Sequence, residues 1–187
     1  MLAHWSKQVD PLADRIIRHW LTRPGALTAG LRELGELNLR VVRQGTVPPK
    51  VDEQAAIGLP EQRCVHAREI CMSINGTDCV VARSVVGIRA SRGHWQAIGR
   101  LGRRPLADIL YDDRRVSRSA FETARIRMPH PLARLASITN HTPATGKNLT
   151  YWARRSVFWR GGEPLLVSEC FLPTFWEIVR AQSRTNG

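Results

Sequence analysis

Arg68, Arg83 and Glu169 stand in otherwise apolar strand runs of a 187-residue chain. Buried ionisable side chains need partners, because an unpaired charge taken out of water is costly. Val65–Ile74 and Thr77–Val86 flank Asn75-Gly76, a pair that favours a two-residue hairpin turn. Strand side chains alternate between faces, so His66, Arg68, Ile70, Met72 and Ile74 share one. A regular ladder from this turn sets Met72 against Cys79, Ile70 against Val81 and Arg68 against Arg83. Two like charges directly opposite one another destabilise a sheet. The pair therefore calls for acidic compensation, from protein carboxylates, from solvent at the sheet end, or from a bound anion. The planar guanidinium fork suits a carboxylate bidentately.

A second hairpin supplies the matching piece. Ser156–Trp159 and Pro164–Leu172 flank Gly161-Gly162, and Leu165, Val167, Glu169 and Phe171 share a face. Glu169 thus sits in an apolar row, where burial favours a neutral carboxyl able to donate a proton. The alternative is an ion pair with Arg154, which a two-residue Gly161-Gly162 turn places opposite Glu169. His66 is a weaker candidate, since a lone histidine is more often structural. No serine or cysteine nucleophile has a recognisable histidine partner, and no glycine-rich phosphate loop is present.

The elements that carry these residues read as helices and strands in alternating groups. Pro11–Leu21 gathers Leu12, Ile16, Ile17, Trp20 and Leu21 on one helical face, and Pro24-Gly25 breaks it. Ala26–Leu34 forms a second short helix ended by Gly35. Leu37–Arg43 alternates as a half-buried strand, and Gly45–Glu61 reads as a polar surface connection. Ser91 caps a helix to about Leu101, and Pro105 opens another through Tyr111. Residues 112–128 read as helical or irregular, and 129–150 as a mobile loop. Pro173 stops the last strand, and an amphipathic tail from Trp176 frays after Ala181. With no repeat and no linker, residues 1–187 make a single α+β domain with an antiparallel sheet.

Composition narrows the function classes. Apolar residues make up 43% of the chain, enough for a core. No run approaches the roughly 20 apolar residues of a membrane span, and the N-terminal stretch lacks the apolar core of a secretion signal. A cytoplasmic protein follows as the expectation. Cys64, Cys71, Cys79 and Cys170 form no C-x-x-C pair and no metal-ligand spacing, so they read as small apolar residues rather than disulfides or metal ligands. The 28 Lys and Arg against 16 Asp and Glu give a net charge of +12. That suits a nucleic-acid partner or a small polyanion. The arginines are spread along the chain, with no zinc-finger spacing, RNP-type motif or recognition helix, so no nucleic acid is expected.

Taken together, these segments resemble the chorismate–pyruvate lyase family, which forms 4-hydroxybenzoate for ubiquinone synthesis. The similar pieces are Arg68-Glu69-Ile70, then Asn75-Gly76, then Ala82-Arg83-Ser84-Val85-Val86, then Leu101-Gly102-Arg103-Arg104-Pro105-Leu106. Ala153-Arg154-Arg155-Ser156 and the run from Pro164 through Glu169 to Pro173 follow. Gly25-Ala26-Leu27-Thr28 looks like the family's N-terminal binding segment. Order and spacing agree over about residues 15–125 and 150–175. The resemblance implies an antiparallel sheet with flanking helices, helical flaps over a buried ligand cavity, a monomer, and a reaction without metal or organic cofactor. Carried over by position, Arg68 grips the ring carboxylate and Arg83 the enolpyruvyl carboxylate. Glu169 contacts the oxygen across the ring, where a protonated carboxyl would hydrogen-bond the leaving ether oxygen. Leu106 offers a backbone contact to that oxygen, and Leu27 lines the cavity.

Residues 126–150 depart from the family pattern, being longer and more irregular where a flap is expected. The high positive charge is a second departure. A stand-alone small-acid sensor of the same fold, or a basic nucleic-acid-binding protein, are the rival readings.

Overall fold

A computed structural model of the protein describes residues 3–59, 63–139 and 149–185. Among these residues, seven strands make one antiparallel sheet in the order β1-β2-β3-β7-β6-β4, with β5 also pairing with β6. The strands are β1 (Leu37–Val47), β2 (Val65–Ile74), β3 (Thr77–Gly87), β4 (Val116–Arg118), β5 (Glu122–Ile126), β6 (Tyr151–Arg160) and β7 (Glu163–Phe171). The helices are α1 (Arg15–Thr22), α2 (Leu27–Leu34), α3 (Val51–Ile57), α4 (Ile88–Arg92), α5 (Ala107–Leu110), α6 (Pro131–Thr139) and α7 (Pro173–Thr185). A 3₁₀ turn, Gln96–Arg100, lies between α4 and α5. None of these helices is long and apolar enough to cross a membrane.

Both hairpin turns form where the glycines require them. Asn75 and Gly76 have φ of 49° and 80°, and Gly161 and Gly162 have 57° and 78°, the left-handed values of a two-residue hairpin turn. One step beyond Asn75-Gly76, however, the ladder is broken. Ser73 pairs with Asp78 but Met72 pairs with Val80, so Cys79 is an extra residue in a β-bulge. Every later residue of β3 changes face. Arg68 therefore lies opposite Ser84, and Arg83 lies opposite Glu69. This corrects the expected Arg68–Arg83 pair. The bulge exchanges a like-charge juxtaposition for an opposite-charge one on the other face of the sheet.

Each face of the sheet carries two apolar clusters. On one face, Ile70, Met72, Ala82 and Phe171 pack with α1, α2 and α7. Further along that face, Val86, Phe158 and Leu165 pack with Trp95, Ile98, Leu101, Leu106 and Leu110 of the segment after β3. The first cluster is centred on aromatic rings. Phe175 lies 4.9 Å from Trp20, Phe171 and Trp176, a spacing that adds edge attraction to area burial. On the opposite face, α6 covers Cys71, Val81, Ala153 and Cys170, and α3 packs near Val85 and Leu166.

Several sequence expectations fall where the chain is short or capped unusually. The Gly45–Glu61 segment holds the end of β1 and also α3. Glu53 explains the helix, because its carboxylate accepts from the Lys50 backbone N–H at the helix start. Residues 112–128 form β4 and β5, and 131–139 form α6 rather than loop. The helix expected from Ser91 to Leu101 is interrupted at Gly93; Ser91 Oγ donates to the Ile88 carbonyl within α4 and does not cap it. The mobility expected around residues 140–148 lies outside the described residues. Pro173 ends β7 and begins α7 at the first helical position, where its missing N–H costs nothing.

Candidate active site

The seam between the two clusters on the α1–α2 side of the sheet is a cavity. Its floor is Ile70, Met72, Ala82, Ser84, Ser156, Val167 and Glu169, and its walls come from Gly25–Thr28 and Pro105–Tyr111 with Phe121. Its volume is about 60 Å³, several times the roughly 10–15 Å³ that one water needs. Two short helical segments therefore meet over the sheet: the start of α2 from one side and α5 from the other. Tyr111 Oη joins them by donating to the Gly25 carbonyl at 2.8 Å, and Arg118 Nη1 donates to the same phenol oxygen at 2.9 Å.

Strand register places the charged residues. Ile70, Ala82, Glu169 and Arg154 form one row across β2, β3, β7 and β6, and Arg68, Ser84, Val167 and Ser156 form the next row on the same face. Arg68 and Glu169 are thus two strands and one same-face step apart, about 12 Å between Cα atoms from ordinary sheet spacings. Arg68 is only 1% exposed. Its Nη2 donates to the carbonyls of Gly102 and Arg104, in the loop whose Pro105 and Leu106 wall the cavity. Its Nε and Nη1 are buried without a hydrogen-bond partner, and burial pulls the guanidinium below its ordinary basicity. Buried donors are nearly always satisfied, so Arg68 keeps two open hydrogen-bonding positions, although its side chain is not itself among the residues lining the cavity. Thr28 Oγ1, at the first turn of α2 and on the cavity wall, is also buried without a partner.

Glu169 is not the isolated carboxyl that strand alternation suggests. Arg154 Nε lies 2.6 Å from its Oε2, the ion pair that the Gly161-Gly162 register allows. Paired with a guanidinium, the carboxylate is set up to accept hydrogen bonds. The guanidinium that lines the cavity is therefore Arg154, 1% exposed, with its Cζ 4.3 Å from the Phe121 ring centroid.

Arg83 is on the far face. Glu69, Arg83, Ser168 and Arg155 form a polar row across four strands there, continued by Glu122 of β5. Arg83 donates to Glu53 through Nε and Nη2 and to Glu69 through Nη1. Burial acts to lower its basicity, but Glu53 and then Glu69 outweigh it and the net shift is upward. Protein carboxylates thus compensate Arg83, and its side chain does not line the cavity. Leu27 and Leu106 do line it. His66 is set in the Arg68 face; burial lowers its pKa, and its Nε2 has no partner. Cys71, Cys79 and Cys170 are buried and Cys64 is exposed. Burial pushes the Cys79 thiol up to about 12, which leaves it unreactive. Among the described residues, no group of three or more His, Cys, Asp or Glu could hold a metal ion.

Sequence reasoning placed Thr28 within the expected binding segment but missed Tyr111 and Phe121 as cavity residues. Nothing in their local pattern distinguishes them from flap surface, since only the fold of two remote segments over one sheet brings them together. The bulge at Cys79 likewise has no clear local signal.

The site is thus a cavity on one face of an antiparallel α+β sheet, lined by the paired Glu169 and Arg154, with the buried Arg68 one same-face row away on β2. Solved structures share this fold. A transcriptional regulator of the GntR family from Bacillus cereus superposes with a TM-score of 0.56 at 10% identity, covering 75% of this chain and 94% of that one. The PhnF C-terminal domain does so with a TM-score of 0.56 at 13% identity, covering 76% and 87%. At such identities these likenesses establish the fold alone. Sequence comparison goes further: residues 2–181 match the chorismate lyase family, and the chain belongs to it. A probable chorismate pyruvate-lyase from Bordetella avium is 48% identical over 179 residues, 96% of this chain and 88% of that protein. Proteins of the same name from Bordetella pertussis and Pseudomonas fluorescens are 46% and 40% identical, each spanning 92% of the relative.

Proposed function

We propose that this protein converts chorismate to 4-hydroxybenzoate and pyruvate, acting as a monomer in the cytoplasm and supplying the aromatic precursor of ubiquinone. The observation that carries the reading is Arg68, a fully buried cation with two unfilled donors on the cavity face. A ring carboxylate would fill both in a bidentate pair. Across the ring, the hydroxyl would donate to the Glu169 carboxylate and meet the backbone at Leu106. Leu27, Ile70, Met72 and Phe158 would hold the ring by apolar contact.

The chemistry follows from the substrate. Aromatisation breaks the ring C–O bond to the enolpyruvyl group, whose oxygen leaves with pyruvate. The carbon that bears the hydroxyl loses its hydrogen, and the enol methylene carbon gains one. Both products are thereby balanced without any added reactant. An ion-paired Glu169 fits this as an acceptor for the ring hydroxyl, which raises electron density at the carbon losing its hydrogen. The expected role as a proton donor to the ether oxygen is set aside for that reason. The second carboxylate is better served by Thr28 Oγ1, which is buried on the cavity wall without a partner, than by Arg83, which two protein carboxylates already occupy. Most of the acceleration would come from holding ether and ring in reactive geometry with water excluded.

The test is direct. Purified protein is mixed with chorismate in a chelator, and pyruvate and 4-hydroxybenzoate are followed against the spontaneous background. No product above that background would sink the lyase reading; tight 4-hydroxybenzoate binding without turnover would then identify a sensor.

A further inference from the structure

We infer that Arg154 is a positioning residue that ties the Glu169 carboxylate to the α1–α2 segment closing the cavity, so that Glu169 is aligned only when that segment is down. The inference rests on the lyase reading for the role of Glu169, but its structural half stands without it.

One guanidinium meets three parts of the molecule. Its Nε lies 2.6 Å from Glu169. Its Nη1 donates at 3.0 Å to the carbonyls of both Trp20 and Arg23. Its plane lies against the ring of Phe121, a cavity wall. Trp20 and Arg23 belong to the last turn and C-cap of α1, where backbone carbonyls have no partner within the helix. Two residues further on, Gly25 begins the stretch through Thr28 that walls the cavity. The whole run from Trp20 to Thr28 is thus anchored at one end by Arg154 and at the other by Tyr111 on the Gly25 carbonyl.

The anchor is rigid on the Arg154 side. Arg154 and Glu169 are direct partners on the adjacent strands β6 and β7, so neither can move far. The tie requires the run from Trp20 to Thr28 to be the member that moves, because the β6–β7 ladder fixes the strands. When that run lifts, Nη1 loses both carbonyls, and the two side chains, not their strands, leave the plane that the fork had fixed. When it settles, the fork fixes the carboxylate in the plane where the substrate hydroxyl must meet it. A lysine keeps the charge but cannot serve a carboxylate and two carbonyls in one plane. A purely structural counter-ion would need only the charge.

The experiment compares Arg154→Lys with the wild type by steady-state kinetics, 4-hydroxybenzoate binding, thermal melting and amide hydrogen exchange. The folded variant should lose kcat by about 100-fold, as misalignment at a reacting centre does. Its Kd for 4-hydroxybenzoate should rise, and exchange at Leu27 and Thr28 should quicken, each by about tenfold, while amides of β7 stay unchanged. A folded Arg154→Lys with wild-type kcat, or with lowered kcat but unchanged exchange at those amides, overturns the inference. Should Arg154→Lys not fold, the double variant Arg154→Gln with Glu169→Gln removes the buried charge pair. Faster exchange at Leu27 and Thr28 in the double variant supports the tie, and the wild-type rate refutes it. Exchange and binding need no turnover, so a wild-type protein inactive on chorismate defeats the lyase reading and leaves this tie still decided by its own data.

Discussion

Replacing Arg68 and Arg83 in turn by Met separates a ligand-binding cation from a structural one. Arg68 offers two unfilled donors to a ligand, and a hydrogen bond to a charged group contributes about 1.5–3 kcal/mol. Two of them give about 3–6 kcal/mol, so Arg68→Met should weaken 4-hydroxybenzoate binding by about 10²–10⁴-fold at 1.4 kcal/mol per tenfold. Its stability should change little, because losing the donor to Gly102 and Arg104 is offset by removing a buried unsatisfied cation. Arg83→Met is the opposite case. It leaves the buried Glu53 and the half-buried Glu69 without the cation they share, which costs about 3–5 kcal/mol. At about 2–4 °C per kcal/mol for a chain of this size, its Tm should fall by roughly 6–20 °C. Titration calorimetry with 4-hydroxybenzoate and thermal melts on both variants decide the matter. An Arg68→Met protein that binds like wild type, or an Arg83→Met protein that melts like wild type, would refute the reasoning.

Three further outcomes are expected. Glu169→Gln keeps the shape but weakens the acceptor and leaves Arg154 without its counter-charge; kcat should drop by about 10²-fold or more, and an unchanged kcat removes Glu169 from the reaction. Tyr111→Phe deletes the bond to the Gly25 carbonyl and should speed 4-hydroxybenzoate release severalfold in stopped-flow, with the Tm shifting by no more than a few degrees. Asp52 is held below its ordinary value of 3.8 because the bond to His130, with help from Trp5 and Arg155, outweighs the opposing effect of burial. A depressed carboxylate stabilises the fold fully above its unfolded pKa, and that contribution is lost as pH falls through the folded one. Melts of wild type and Asp52→Asn should therefore differ most above about pH 4 and converge below it; a constant gap down to pH 2 would show that Asp52 is not the titrating group.

The sequence determined both hairpin turns, because Asn75-Gly76 and Gly161-Gly162 supply left-handed backbone that few other pairs adopt. It also determined the family, through short ordered motifs, and the strand register that sets Arg154 opposite Glu169, with their ion pair left as one of two readings. Leu27, expected from the same motifs to line the cavity, does line it, and Leu106, expected to offer a backbone contact, lies on its wall. The placement of Arg83 was decided only by tertiary structure. A single extra residue at Cys79 moves every later side chain of β3 to the other face, and strand alternation has no means of registering it. Local pattern also understated β4, β5 and α6, since three- and five-residue strands gain their stability from β6 rather than from their own sequence. The environment of Glu169 was decided the same way. Whether a carboxyl on an apolar strand is neutral or paired depends on what the neighbouring strand sets beside it, and here that is a guanidinium also bound to the end of a helix more than 130 residues earlier.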